Sequence, residues 1–168
     1  MGGTRVCSSF SEILREAWDL RETCRRDTRY VDCELFFRGE YHSYRTDGDS
    51  SLPSPAGNAI PGLFRPDEDG SYTLRDNEHI MLHEAMRRYP DFVNPGMPTM
   101  ELLSRMEHYF LPTRLLNISE DLRLATAMAV IPMQIHKKNE KNGFIYVYAI
   151  RKDRIKYIDS DTATAIAA

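Results

Sequence analysis

The segment Glu107-His108-Tyr109-Phe110-Leu111-Pro112-Thr113-Arg114-Leu115-Leu116-Asn117 sets a carboxylate, a histidine, a threonine and a guanidinium among apolar residues. Leu111, Leu115 and Leu116 call for burial, with Arg114 between them, so the segment is expected to be a short buried crossing. A guanidinium that close to an interior needs a carboxylate, a phosphate or several carbonyls as partner. Upstream, Phe36-Phe37-Arg38-Gly39-Glu40 ends a second apolar run in an arginine. Two arginines at the edges of buried strands fit an anionic ligand, with Arg38 and Arg114 as its holders. Gly39 would let the backbone turn or a ligand come close. Each residue also has a structural reading. Arg38 can pair with Glu40 or Glu107, and Arg114 can brace carbonyls or Glu107. His108 can be a satisfied core histidine, Thr113 can serve a backbone group after Pro112, and Ser119 can cap a helix.

The elements that would carry these residues follow from periodicity and caps. Ser9 and Glu12 have capping-box spacing, and Phe10, Ile13, Leu14, Ala17 and Trp18 share a helical face, with Trp18 as a core anchor. This helix should reach about Arg25. Val31 to Arg38 alternates as a strand, with Cys33, Leu35 and Phe37 on one face and Glu34, Phe36 and Arg38 on the other. Residues 41 to 73 are rich in Ser, Gly, Pro and Asp and read as a long ordered loop pinned at Ser51-Leu52-Pro53-Ser54 and Gly62-Leu63-Phe64-Arg65. Asp76 or Asn77 should cap a helix to about Tyr89, with Met81, Leu82, Ala85, Met86 and Tyr89 inward. On it His79 and His83 share a face, a spacing open to metal binding, but no third ligand is near, so no metal site is expected. Thr99 should cap a helix to about Tyr109. Thr113 to Ile118 reads as a strand, and Ser119-Glu120-Asp121 opens an alanine-rich helix suited to close packing on a sheet. Asn142-Gly143 can turn the chain into a strand from Phe144 to Ile150, Arg154 to Ile158 offers another, and Asp159-Ser160-Asp161 a last cap.

The chain has 168 residues, 42% apolar and 28% charged, which suits one domain of an ordinary globular protein. Its net charge of -3 opposes a nucleic-acid-binding role. The basic runs Arg21-Arg25-Arg26-Arg29 and Lys137-Lys138-Lys141 read as solvated surface. Three cysteines, Cys7, Cys24 and Cys33, without an apolar leader or zinc spacing read as reduced thiols of a cytoplasmic protein. No apolar run is long enough for a membrane span. The expected fold class is α/β (α+β): a mainly antiparallel or mixed sheet flanked by helices, in a single compact domain.

Phe37-Arg38-Gly39 resembles the name motif of the FRG domain, a bacterial and phage family. Glu107 to Val130 resembles its second motif, roughly Gln-His-Tyr-Gly-Leu-Pro-Thr-Arg-Leu-Leu-Asp with an alanine-rich helix after it. Ile155-Lys156-Tyr157-Ile158-Asp159-Ser160-Asp161-Thr162 is similar to a later family segment. The likeness spans residues 30 to 168, leaving 1 to 29 as a helix packed on the domain. Family members continue into further strands, so the domain is expected to be truncated at its carboxyl-terminal end. Phe110 stands where the family has Gly, and Asn117 where it has Asp.

The resemblance implies a nucleotide-like or phosphate-bearing ligand, with a protein target as a further partner. A more distant likeness to ADP-ribosyltransferases implies NAD as a cofactor or substrate, and either transfer or glycohydrolase cleavage. In that layout Arg38 would hold phosphate, and Thr113 and Ser119 would supply hydroxyls. Glu107, where the family has Gln, could stabilise the cation-like ribose beside His108. Glu107, His108 and Ser119 are thus the catalytic candidates, and Arg38, Gly39, Thr113 and Arg114 the ligand-binding ones. Family context implies a toxin or phage-conflict role. The rival expectation is a non-catalytic module that binds a ligand or a protein.

Overall fold

Ser9 opens the first helix, α1 (Phe10–Arg26), where its hydroxyl oxygen accepts the Glu12 N–H at 3.3 Å. The Glu12 carboxylate reaches back over the helix start, where its main donor is the Ser8 N–H at 2.7 Å and the Ser9 N–H contributes less. The computed structural model describes residues 3–41, 60–65, 71, 73–91, 96–109, 111–131 and 142–157. The loop point 51–54, Phe110, the Lys137-Lys138-Lys141 run and the cap at residues 159–161 lie outside them. The described residues form four helices and a two-stranded antiparallel sheet, an α+β fold. The chain divides into two units: residues 1–58 with 117–155, and residues 59–116 with 156–168.

In the first unit β1 (Cys33–Glu40) pairs with β2 (Phe144–Arg151), placing Phe36 opposite Tyr148 and Arg38 opposite Tyr146. Leu35 and Phe37 point to one face and pack with Cys24 of α1 and Ala125 of the last helix, α4 (Leu122–Val130). Small residues let α4 lie against the sheet: a Cβ at Gly39 would come within 1.7 Å of the Ala125 carbonyl oxygen. At Gly143 it would come within 2.0 Å of the Ala129 oxygen. The face of α1 turned inward is Ala17, Leu20 and Cys24. Trp18 is 63% exposed, so it is not the core anchor its size suggested.

In the second unit α2 (Glu78–Arg88) and α3 (Thr99–His108) contribute Ala85, Leu102 and Met106 to a core lined by Met81, Leu82, Met86 and Met97. Tyr89, expected inward, is 59% exposed. Asn77 precedes α2, yet its side chain donates to the Thr73 carbonyl at 2.7 Å and caps nothing. Thr99 is the first residue of α3, and Pro98 takes the cap position.

Two expected strands are absent from the described residues. Thr113 to Ile118 forms no strand and bends at Arg114, and Ser119 makes an isolated bridge to Phe37. Lys152–Arg154 is a short 3₁₀ turn, and residues 155–157 are not a strand. No helix among the described residues is long and apolar enough to cross a membrane.

Candidate functional site

In the first unit the alternation of β1 sends Arg38 to the face away from α4, together with Phe36 and Glu40. Arg38 is 8% exposed and Glu40 5%. The Arg38 Nε donates to Glu40 Oε1 at 2.8 Å, and its Nη1 donates to the Asn117 carbonyl oxygen at 2.8 Å. Its Nη2 makes no hydrogen bond among the described residues. Tyr148, diagonal to Arg38 across the ladder, keeps its hydroxyl shielded from solvent without a hydrogen-bond partner. Burial pushes the Tyr148 phenol up from its usual range; Arg38 opposes that shift and Glu40 adds to it. The Arg38 guanidinium end and the Tyr148 phenol thus lie on one sheet face, which also carries Glu40 and Tyr146.

The neighbouring candidates of this unit are committed to structure. The space beside Gly39 is filled by the backbone of α4. Ser119 exchanges backbone hydrogen bonds with Phe37 at 2.7 and 2.8 Å. Its hydroxyl oxygen accepts the Asp121 N–H at 3.0 Å. The helix cap is Asp121, two positions after the expected Ser119, and its carboxylate accepts the Arg123 N–H at 2.9 Å.

In the second unit Thr113 is fully buried; its hydroxyl donates to Glu107 Oε2 at 2.9 Å and accepts the Leu115 N–H at 3.2 Å. Its carbonyl accepts the Leu63 N–H at 3.0 Å, which ties the segment to the 3₁₀ turn Gly62–Phe64. Arg114 finds its carboxylate in Glu78, at the start of α2, and not in Glu107. Its Nε donates to Glu78 Oε2 at 2.7 Å, and its backbone N–H to Oε1 at 3.1 Å. The Nη2 of Arg114 also contacts Oε2. This hydrogen bonding raises the Arg114 guanidinium further above its usual range. The segment is not a buried crossing: Thr113 is its one buried residue among those described, while Leu111, Arg114 and His108 are exposed. His108 ends α3 with its ring edge-on to Tyr109 at 5.5 Å. It is a surface histidine.

The predicted residues thus fall into two sets. Arg38, Gly39 and Ser119 belong to the first unit, and Glu107, His108, Thr113 and Arg114 to the second. Within the second set Glu107 joins Thr113, and Arg114 turns to Glu78. Tyr148 and Glu78 were the residues that sequence reasoning passed over. The signal for Tyr148 was its place two residues after Tyr146 in a strand that must pair with the Arg38 strand. The signal for Glu78 was an acid in the first turn of an amphipathic helix. His79 and His83 are exposed on α2. No group of three or more His, Cys, Asp or Glu side chains among the described residues could hold a metal ion.

Comparison with known proteins found no matching family model, no matching curated protein and no matching solved structure.

Proposed function

We propose that this chain is an FRG-domain-like protein that binds a nucleotide-like, phosphate-bearing ligand at the Arg38 face of the sheet. The observation that supports it is the Arg38 guanidinium, oriented by Glu40 and Asn117, with its Nη2 end uncommitted beside a shielded, unpartnered Tyr148 hydroxyl. A buried ion pair is weak support for stability alone, because desolvation offsets its attraction. A buried polar group with no partner costs free energy that a ligand acceptor would recover. The ligand oxygen would take the Nη2 donors and the phenol, while Glu40 fixes the planar fork.

The catalytic set is a separate matter. Glu107 and Ser119 already serve Thr113 and the start of α4. Those commitments favour a second reading, binding without catalysis. Titration calorimetry with ADP-ribose, NAD and ATP tests the ligand class, and a nicotinamide-release assay on NAD separates the two readings. Binding of ADP-ribose and NAD without release supports the module. Release above the buffer rate supports ADP-ribosyl transfer or NAD cleavage. Absence of binding by all three ligands contradicts the proposal.

A further inference from the structure

Where α1 ends, a hollow of about 170 Å³ is lined by Arg21, Arg25 and Lys152, with Tyr30, Cys33 and Glu34 beside them. Three cations and one carboxylate gather there, in a chain whose net charge is -3. The cations come from separate elements: Arg21 and Arg25 lie one turn apart on α1, and Lys152 opens the 3₁₀ turn after β2.

Folding does not account for this arrangement. Like charges four residues apart repel on a helix. The helix dipole favours cations in the last turn, which holds Arg25 and Arg26 but not Arg21. Arg21 makes no hydrogen bond or ion pair among the described residues. The other two cations are loosely held. Arg25 meets Glu22 at 2.8 Å with its side chain 66% exposed, and Lys152 meets Glu34 at 3.7 Å with its side chain 65% exposed. Exposed pairs of this kind are worth little and yield to a better-placed anion.

The wall of the hollow is held by backbone hydrogen bonds. Tyr30 N–H donates to the Asp27 oxygen, Cys33 N–H to the Tyr30 oxygen and Lys152 N–H to the Asp32 oxygen, each at 2.9 Å. Little backbone ordering therefore remains for a ligand to impose. The volume lies below the roughly 300 Å³ at which sites for drug-sized molecules begin, so the occupant is small or only partly inserted. From these observations the geometry points to a second anion site, independent of Arg38, that takes a single phosphate group as the ion or as a phosphomonoester. Arg21 and Arg25 donate to its oxygens from one side and Lys152 from the other, while Glu34 limits the charge that the hollow tolerates.

The test is titration calorimetry of the whole chain with inorganic phosphate and with phenyl phosphate at low salt. Arg21→Gln/Arg25→Gln should bind at least about tenfold more weakly. Arg26→Gln, on the same turn but outside the hollow, should stay within about twofold of the parent. Glu34→Gln should bind more tightly, a gain that a misfolded variant cannot mimic. Tighter binding of phenyl phosphate assigns the monoester, and equal binding assigns the ion. No saturable binding by the parent up to about 10 mM of either overturns the site. So does an equal loss in Arg26→Gln, which would mark a general charge field.

Discussion

Arg114 holds Glu78 at both carboxylate oxygens across 36 positions of sequence, through its side chain and its own backbone N–H. The carboxylate is buried and the guanidinium side chain is 45% exposed. Removing the arginine would leave an unpaired buried anion. Arg114→Ala is therefore expected to cost about 2–3 kcal/mol, below the full penalty of a wholly buried pair because water reaches the site. Arg114→Lys should recover part of it, since lysine keeps the charge and loses the fork. Urea unfolding of the two variants, with Glu78→Gln and Glu78→Gln/Arg114→Ala completing a double-mutant cycle, measures the coupling.

Gly39 is where α4 meets the sheet. A methyl group there would overlap the Ala125 carbonyl, so Gly39→Ala should lose about 3 kcal/mol or fail to fold, by overpacking rather than by loss of a ligand contact. Thermal unfolding reads this directly. A Gly39→Ala protein as stable as the parent would contradict the close approach of α4.

Trp18 is the chain's single tryptophan, so its fluorescence reports on the outer face of α1 alone. Its indole is mostly exposed. The emission should lie near that of indole in water and be readily quenched by acrylamide, and Trp18→Ala should change stability by no more than about 0.5 kcal/mol. Blue-shifted, protected emission from the folded monomer would contradict this placement.

The error over Trp18 shows how far periodicity reaches. Two apolar stripes wind along α1: Phe10, Leu14 and Trp18, and Ile13, Ala17, Leu20 and Cys24. Side-chain size favours the first as core, yet the sheet takes the second, whose smaller residues fit against Leu35 and Phe37. Spacing alone does not rank two such faces. What local chemistry decides was legible: the start of α1 at Ser9, the alternation that places Arg38 beside Phe36, the strand from Phe144 and the small-residue face of α4. The Arg38–Glu40 pair was also legible, because two positions along a strand share a face. The Glu78–Arg114 pair was not, since periodicity says nothing about which distant carboxylate a guanidinium will find.

Asp27 gives the clearest pH signature. Side-chain hydrogen bonds from Arg29, at 2.6 to 3.2 Å, together with the Arg29 backbone N–H, lower its carboxyl to about 2. A carboxyl depressed in the folded state binds its proton more readily when unfolded. Its contribution is therefore complete above the unfolded value of about 3.9 and is lost as pH falls from there through about 2. Carbon-detected NMR titration of Asp27 should give that low midpoint, and Arg29→Ala should return it toward the ordinary carboxylate range. An unchanged midpoint in the variant would refute the pairing.

On the proposed function, the free end of the Arg38 guanidinium binds a phosphate-bearing ligand. The most direct measurement is calorimetric titration of ADP-ribose into the parent, Arg38→Lys and Tyr148→Phe, with unfolding curves for each. Lysine keeps a cation beside Glu40 but lacks the second nitrogen, and Tyr148→Phe removes only the unpartnered hydroxyl. The prediction is at least about tenfold weaker binding by Arg38→Lys. Tyr148→Phe should bind more weakly while being as stable as the parent or more so. Parent-like binding by both folded variants would contradict the claim and leave Arg38 as a structural ion.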